Sequence, residues 1–348
     1  MELVDSARVI TNHRDAAGDT GWDLAPACPP EWRDWLEHCD GGFFHSPPGL
    51  KAGAPSGEPL YCVHRGPTGV DGIAVGVRHA CRLSRRARHV YFPSAPAVRD
   101  AHQGSIIVQD LVTALRDRGA AEVVMDSFDA GWCPQVPAAA ASSRRAEFIV
   151  SLEQLQEEML ARCTQHHRRL IRKGDRAGWT MRAHAGEESH DLLGIVQESA
   201  RTRANDRGAP FRAPAVVSIA NERPDSNTPW GATVFAAWDG DVSLAAMMVG
   251  WGGRRAYYIA GGGTAAGYSA GAGVWLQWNI ATTLAAAGFT EYNLGGVSVD
   301  AAEDPGLRRF KLGFGASVAD CCGASWRLRA MHAWGHDARR LLRGWLPR

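Results

Sequence analysis

LRDRGAAEVVMD (residues 115–126) and LAAAGFTEYNLG (residues 284–295) share one pattern, L-x3-G-x2-E, at an offset of 169 residues. In both, apolar residues at helical spacing lead to a glycine, and a short apolar run follows. Glycine just past a helix accepts the left-handed conformation without a Cβ penalty, so it is a common stop signal. Each stretch therefore predicts helix, turn, strand. Two further pairs keep nearly the same register. Asp71-Gly72 stands before IAVGV, and Asp239-Gly240 before VSLAAMMV, at an offset of 168. RHVYF (88–92) matches RAYYI (255–259) at 167. Three weak matches in one register carry more weight than any one, and predict two copies of one α/β unit.

Within each copy the order reads helix, hairpin strands, glycine-rich turn, helix, strand. DG turns imply antiparallel pairing, and a helix between the last two strands implies a parallel crossover. The expected fold class is α/β (α+β): two tandem domains, each a mixed β-sheet flanked by helices. PQVPAAAASS (134–143) reads as a linker. The expected division is 1–133, a linker at 134–146, and 147–348 with a basic C-terminal tail.

The chain has 348 residues, is 45% hydrophobic and 22% charged, and carries a formal net charge of +1. That balance is globular and gives no global electrostatic case for nucleic acid or membrane, so any basic surface must be local. MELVDSARVI lacks a basic stretch followed by an apolar core, and no apolar run approaches the ~18 residues that span a bilayer. A cytoplasmic monomer without membrane insertion is expected. The cysteines at 28, 39, 62, 81, 133, 163, 321 and 322 form no C-x-x-C, which predicts buried thiols rather than a metal site. Lysine occurs only at Lys51, Lys173 and Lys311; the other basic residues are arginine.

TQHHRRLIRKGDRAGW (164–179) is the densest cationic run. Leu155 to Arg176, taken as one helix at ~100° per residue, places Leu155, Met159, Cys163, His166 and Leu170 on one side. Arg162, Arg168, Arg169, Arg172, Lys173 and Arg176 fall opposite, with Asp175 the lone compensating acid. Such a face is either a solvated helix surface or a contact for phosphates, which arginine forks suit. Arg182, Arg201, Arg203, Arg207 and Arg212 extend the basic run, as do the arginines after Trp326.

Three stretches resemble the Fem-type aminoacyltransferases, the FemAB-like branch of the GNAT superfamily. They are QHHRRLIRKGDRAGWTMR, then RRAYYIAGGGTAAGYSAGAGVWLQWNIATTLAAAGFTEYNLGG, then DPGLRRFKLGFGAS with its Phe310-Lys311-x-x-Phe314-Gly315 signature. HCDGGFFHSPPGL matches more loosely. The resemblance implies two tandem GNAT-like domains. It also implies transfer of an aminoacyl group from aminoacyl-tRNA, a co-substrate rather than a bound cofactor, to an amine. The acceptor would be a small natural-product intermediate or a peptidoglycan precursor. No heptad insertion marks the coiled-coil arm of some members.

An aminoacyl ester is already activated, so the protein must orient the amine, accept its proton and stabilise the oxyanion. By its place in the Phe-Lys motif, Lys311 is the expected cation at that oxygen, with Phe310 walling the pocket. Tyr258, Tyr268, Gly271, Gly273 and Asp126 are the expected substrate contacts. Arg168, Arg169, Arg172, Lys173 and Arg176 are expected to face tRNA. Acyl-CoA GNAT enzymes hold pyrophosphate on a Q/R-x-x-G-x-G/A turn at a helix N-terminus. Here Tyr268 stands where Gln or Arg is expected, and the first copy has Gln103-Gly104-Ser105. An acyl-CoA-dependent N-acyltransferase is the enzyme alternative, and a non-catalytic nucleic-acid-binding protein the non-enzyme one. Gly267-Tyr-Ser269-Ala-Gly271 is also a G-x-S-x-G, followed by Asp300 or Asp304 and His332 or His336 in hydrolase order. His332 and His336 have metal-ligand spacing but no third ligand nearby in sequence.

Overall fold

The computed structural model describes residues 21–54, 56–81, 84–129, 132, 141–186, 188–206, 224–298 and 305–328. The first half runs β1 (Gly21–Ala25), α1 (Trp32–His38), a 3-10 turn (Phe43–His45), α2 (Pro47–Gly53), β2 (Glu58–Gly66), β3 (Gly69–Cys81), β4 (Ser84–Phe92), β5 (Ala97–Val98), α3 (Gly104–Asp117) and β6 (Ala120–Met125). β7 (Ala141–Ser151), α4 (Gln156–Arg162), α5 (Gln165–Ala177), β8 (Thr180–His184) and α6 (Glu188–Asp206) follow. The chain continues through β9 (Trp230–Asp239), β10 (Val242–Gly252), β11 (Arg255–Gly263), α7 (Ala265–Ala270), α8 (Ala272–Ala286), β12 (Glu291–Ser298), α9 (Pro305–Leu312) and β13 (Ser317–Arg327).

One mixed sheet carries both halves, in the order β1-β2-β3-β4-β6-β13-β7-β12-β11-β10-β9-β8, with β5 beside β3. Read outward from the centre, β6-β4-β3-β2-β1 mirrors β12-β11-β10-β9-β8, so the repeat inferred from three sequence matches is a repeat of topology. The parallel pairs are β4 with β6 and β11 with β12. Each is bridged by helix, as a parallel crossover requires. The last strand of each copy is exchanged. β7 leaves β6 to pair with β12, and β13 returns to pair with β6. The two exchanged strands pair with each other from Ser317↔Ile149 to Ser325↔Ala141. Residues 141–146, expected within the linker, are thus the first half of a central strand.

Helices cover both faces. α5 and α8 pack over Phe148, Phe235, Met247, Val249 and Trp251. α6 and the 3-10 turn pack over Val234, Ala236, Met248 and Tyr257 on the other face. Phe43 of the turn lies so close to β10 that a Cβ on Gly250 would meet its ring at 2.4 Å, which ties the first half to the second half's sheet.

Several local expectations are corrected. Leu155 to Arg176 is two helices, because Thr164 N-caps α5 and accepts the His167 N–H. The break resets the helical phase: His167, Ile171 and Gly174 are buried, whereas His166 is exposed and Leu155 is 72% exposed. Gly178 does end α5, at φ +75°. Asp239-Gly240 is the β9–β10 turn, but Asp71 and Gly72 lie inside β3, where Asp71 pairs with His64 at 2.5 Å. Cys39, Cys62, Cys163 and Cys321 are buried free thiols and Cys28 an exposed one, but Cys322 is disulfide-bonded. No described helix is long and apolar enough to cross a membrane.

Candidate active site

β11 and β12 pair in parallel only across Arg255↔Glu291, Ala256↔Tyr292 and Tyr257↔Asn293. Beyond Tyr257 the strands part, and irregularities on their outer sides show why. On β10, Val249 faces Tyr258 but Met248 faces Ala260, so Ile259 is an extra residue that bends β11. On β7, Ile149 faces Asn293 but Glu147 faces Gly296, leaving Gly295 bulged at φ +74° with its N–H on Asn293 Oδ1 at 2.9 Å.

A cavity of about 570 Å³ opens where the strands part. Its size is that of a small-molecule site. Tyr257, Tyr258, Gly295, Gly296 and Lys311 line it from the second half, and Phe44, Tyr91 and Phe128 from the first. Gly261 makes room for Tyr258, whose hydroxyl would lie 2.5 Å from an added Cβ.

Lys311, in the last turn of α9, is 4% exposed. Its Nζ donates to the Gly296 carbonyl at 3.2 Å and lies 5.5 Å over the Phe148 ring. The chain's rare lysine therefore places its Nζ at the mouth of the opened strands. Phe310 does not wall this cavity. One helical residue earlier, it points away and packs 5.3 Å from Phe314 and 5.9 Å from His167.

Below the cavity lies a buried polar network that sequence reasoning missed. Glu147 is 1% exposed and accepts from Asp129 N at 3.1 Å, Asn293 Nδ2 at 2.7 Å, Tyr257 Oη at 3.2 Å and Arg145 Nη2 at 3.1 Å. Four donors converge on Glu147, which anchors the strands and the loop around it. Burial first, then the Glu147 charge, pushes the Tyr257 hydroxyl well above its ordinary pKa. It stays a phenol, and its oxygen accepts from Arg145 Nη2 at 3.4 Å. Arg145 lies 4.1 Å over the Phe128 ring, and its buried Nε makes no hydrogen bond among the described residues. Asp129, at φ +53°, accepts from Phe43 N and Asn293 Nδ2, both at 3.2 Å. Its pKa is raised to about 6, chiefly by burial, with the nearby Arg255 opposing.

The other expected contacts are divided. Tyr258 lines the cavity, and burial raises its pKa to about 12. Tyr268 is one contact removed: its hydroxyl is 2.6 Å from Arg203, which lines the cavity, and 2.7 Å from Ser199 Oγ. Asp126 is likewise behind Tyr91, whose hydroxyl donates to it at 2.7 Å. Gly271 and Gly273 do not line the cavity. Gly271, at φ +82°, joins α7 to α8 and abuts Leu170 of α5. Ser269 is exposed within α7, so the G-x-S-x-G lies in a helix, not in the strand-to-helix elbow a hydrolase needs. Asp300, Glu303, Asp304, His332, His336, Arg207, Arg212 and the tail arginines from Arg329 onward lie outside the described residues. Among the described residues no cluster of three His, Cys, Asp or Glu could hold a metal.

The cationic face of α5 is not uniform. Arg168 donates to the Ala161 carbonyl at 2.9 Å and to Cys163 at 2.6 Å, closing the end of α4. Lys173 donates to the Ala270 carbonyl at 3.1 Å, which sets the face beside the Gly271 turn. Arg176 Nε returns to the Arg172 carbonyl at 3.2 Å. Arg169 and Arg172 are exposed, and their guanidinium groups make no hydrogen bond or ion pair among the described residues.

Residues 161–316 match the family model for the acetyltransferase (GNAT) domain. FemX, a solved structure, superposes with a TM-score of 0.62 at 12% identity, over 86% of this chain and 96% of its own. The fold is that of FemX. The C-terminal domain of a protein from Agrobacterium fabrum, provisionally named a lysylphosphatidylglycerol synthetase, superposes at 0.51 with 13% identity, over 90% and 96% of the chains. L-PGS from Bacillus licheniformis does so at 0.50 with 13% identity, over the same shares. No curated protein matches the sequence.

The two copies are unequal. In the first copy β4 and β6 stay paired to their ends, Phe92↔Met125. At the start of α3 a Cβ on Gly104 would meet the Trp132 ring at 2.7 Å, and Trp132 Nε1 donates to the Pro96 carbonyl at 2.9 Å. A tryptophan covers that turn, and only the second copy's strands open onto the cavity described.

Proposed function

We propose that this chain transfers an aminoacyl group from aminoacyl-tRNA to the amino group of a small natural-product intermediate or a peptidoglycan precursor, forming an amide. The observation that carries the reading is the opened β11–β12 pair, with the Lys311 ammonium at its mouth and an arginine face beside the adjoining turn. The donor's phosphates lie on Arg169 and Arg172, and its ester end enters between the strands. The acceptor amine sits in the cavity against Tyr257 and the aromatic wall from the first half.

Nitrogen attacks the ester carbonyl, and the C–N bond forms as an oxyanion develops. Lys311 faces that oxygen and stabilises it, as a prepositioned charge does in a dry site. The C–O bond to the ribose then breaks. The proton lost by the amine leaves to water or to the departing ribose oxygen. Tyr257 accepts an N–H of the amine and orients it.

The test is transfer of label from tRNA charged with radiolabelled amino acids, in an extract of small molecules, with RNase added beforehand as control. Label in an RNase-sensitive product supports the reading. No such transfer, together with acetyl-CoA consumption in the same extract, replaces it with acyl-CoA-dependent N-acylation.

A further inference from the structure

His167 is buried on α5, the helix that carries Arg169 and Arg172, yet its ring reaches α9, the helix that carries Lys311. The last carbonyls of a helix lack intrahelical donors. In α9, Arg309 O accepts from Gly313 N at 2.9 Å, Lys311 O from Phe314 N at 3.2 Å and Leu312 O from Gly315 N at 3.0 Å. The carbonyl this pattern skips is Phe310 O, and His167 Nε2 meets it at 2.9 Å. A carbonyl only accepts, so the proton is on Nε2. Nδ1 then accepts from Thr164 Oγ1 at 3.2 Å, and Thr164 N donates to Gly313 O at 2.9 Å. Burial lowers the His167 pKa, which favours this neutral form.

Packing reinforces the link. The Phe314 ring stands edge-on to His167 at 4.6 Å. A Cβ on Gly313 would lie 2.2 Å from the imidazole, and one on Gly315 would meet the Arg162 backbone at 2.9 Å. The start of α5 and the end of α9 thus share one hydrogen-bonded, close-packed joint. Phe310 finds its role here, as the residue whose carbonyl is capped, and Lys311 is the next residue along.

We infer that His167 is a positioning residue for Lys311: it fixes the last turn of α9 to the donor-binding helix, so that donor seating on α5 is felt at the Lys311 ammonium. The inference rests on the reading that α5 carries the donor and Lys311 faces the reacting ester.

The test uses the full chain labelled with 13Cε-lysine. Lys51, Lys173 and Lys311 are the only lysines, so three resonances are expected, assigned with single Lys→Arg variants. His167→Phe keeps the ring packing and removes the donor; His167→Gln keeps a donor of similar reach. In His167→Phe the Lys311 resonance should move while Lys51 stays. Turnover should fall by about ten- to a hundredfold, as expected of a displacement near 1 Å, with KM for charged tRNA nearly unchanged. His167→Gln should recover most of both. Charged tRNA should shift Lys173 and Lys311 in the wild type, but Lys173 alone in His167→Phe. An unmoved Lys311 resonance in His167→Phe, or a His167→Gln variant as impaired as His167→Phe, overturns the inference. If the wild type transfers nothing from tRNA, the proposed function fails separately and the unliganded Lys311 resonance still decides the joint.

Discussion

Replacing Arg169 and Arg172 together by Gln should flatten the salt dependence of the reaction with charged tRNA. The choice follows from what each cation on α5 does. Arg168 and Lys173 cap backbone carbonyls, whereas Arg169 and Arg172 make no bond among the described residues. Only the latter pair can be removed without loosening the fold. Each phosphate contact contributes about 0.7 to 0.9 to the slope of log affinity against log salt, for single and double strands respectively. Losing two lowers the slope by about 1.4 to 1.8. Between about 50 and 200 mM salt, this is roughly a 7- to 12-fold smaller change in KM than the wild type shows. The assay is KM for charged tRNA across that range, with turnover measured alongside. Arg168→Ala is the internal contrast. It should lower the melting temperature by opening the end of α4 and change the salt slope less than the double variant does. A double variant with the wild-type slope would return α5 to a solvated face, whatever the chain transfers.

Lys311→Met, which keeps a buried straight chain of similar length, should cut turnover by about 10²- to 10³-fold with little change in KM, the effect of removing one oxyanion-stabilising group; unaltered turnover in a folded variant would remove Lys311 from the chemistry. Asp129 has its pKa raised by burial from 3.8 to about 6. The folded chain therefore holds a proton that the unfolded chain releases, and this contribution is complete below about pH 4 and lost as pH rises through about 6, about 3 kcal/mol in all. In urea unfolding, Asp129→Asn should start lower, since Phe43 and Asn293 donate to different oxygens and the amide turns one of these into a donor, and should lack this fall between pH 4 and 6; parallel wild-type and variant profiles would contradict it. Gly250→Ala should destabilise by about 1–3 kcal/mol, because the added Cβ meets the Phe43 ring at 2.4 Å; a melting temperature equal to the wild type's would show that the 3-10 turn yields freely.

The tandem architecture was legible because its signals lie far apart and in register. RHVYF and RAYYI fall on β4 and β11, and the two L-x3-G-x2-E stretches on α3–β6 and α8–β12. Single short signals fared less well. Asp71-Gly72 has the composition of a turn but sits within β3, where Asp71 is held by His64. The helix from Leu155 was read through Thr164 because the apolar spacing continues across it. An N-capping threonine before QHH was the missed cue. Lys311 was reachable through a family motif and its rarity. Asp129, Glu147, Tyr257 and Asn293 were not, because no sequence window holds them. They meet only once β7 has crossed to β12.

That crossing also explains how two similar units come to divide one task. A parallel pair that opens beyond its crossover leaves backbone groups without ladder partners, and these need cover. In the first copy β4 and β6 stay closed, and Trp132 fills the turn at α3. In the second, the bulges at Ile259 and Gly295 turn the strands apart. The cover then comes from outside the unit, from Phe44, Tyr91 and Phe128 of the first copy. Exchange of β7 and β13 makes this arrangement rigid, because neither half's sheet is complete without a strand from the other. Glu147, on the exchanged β7, binds the Asp129 backbone on one side and Tyr257 and Asn293 on the other. The first copy is therefore a wall of the second copy's cavity, and under the proposed function acceptor selectivity should follow substitutions at Phe44 and Phe128 more closely than substitutions at Arg169 and Arg172, which line the exposed face of α5.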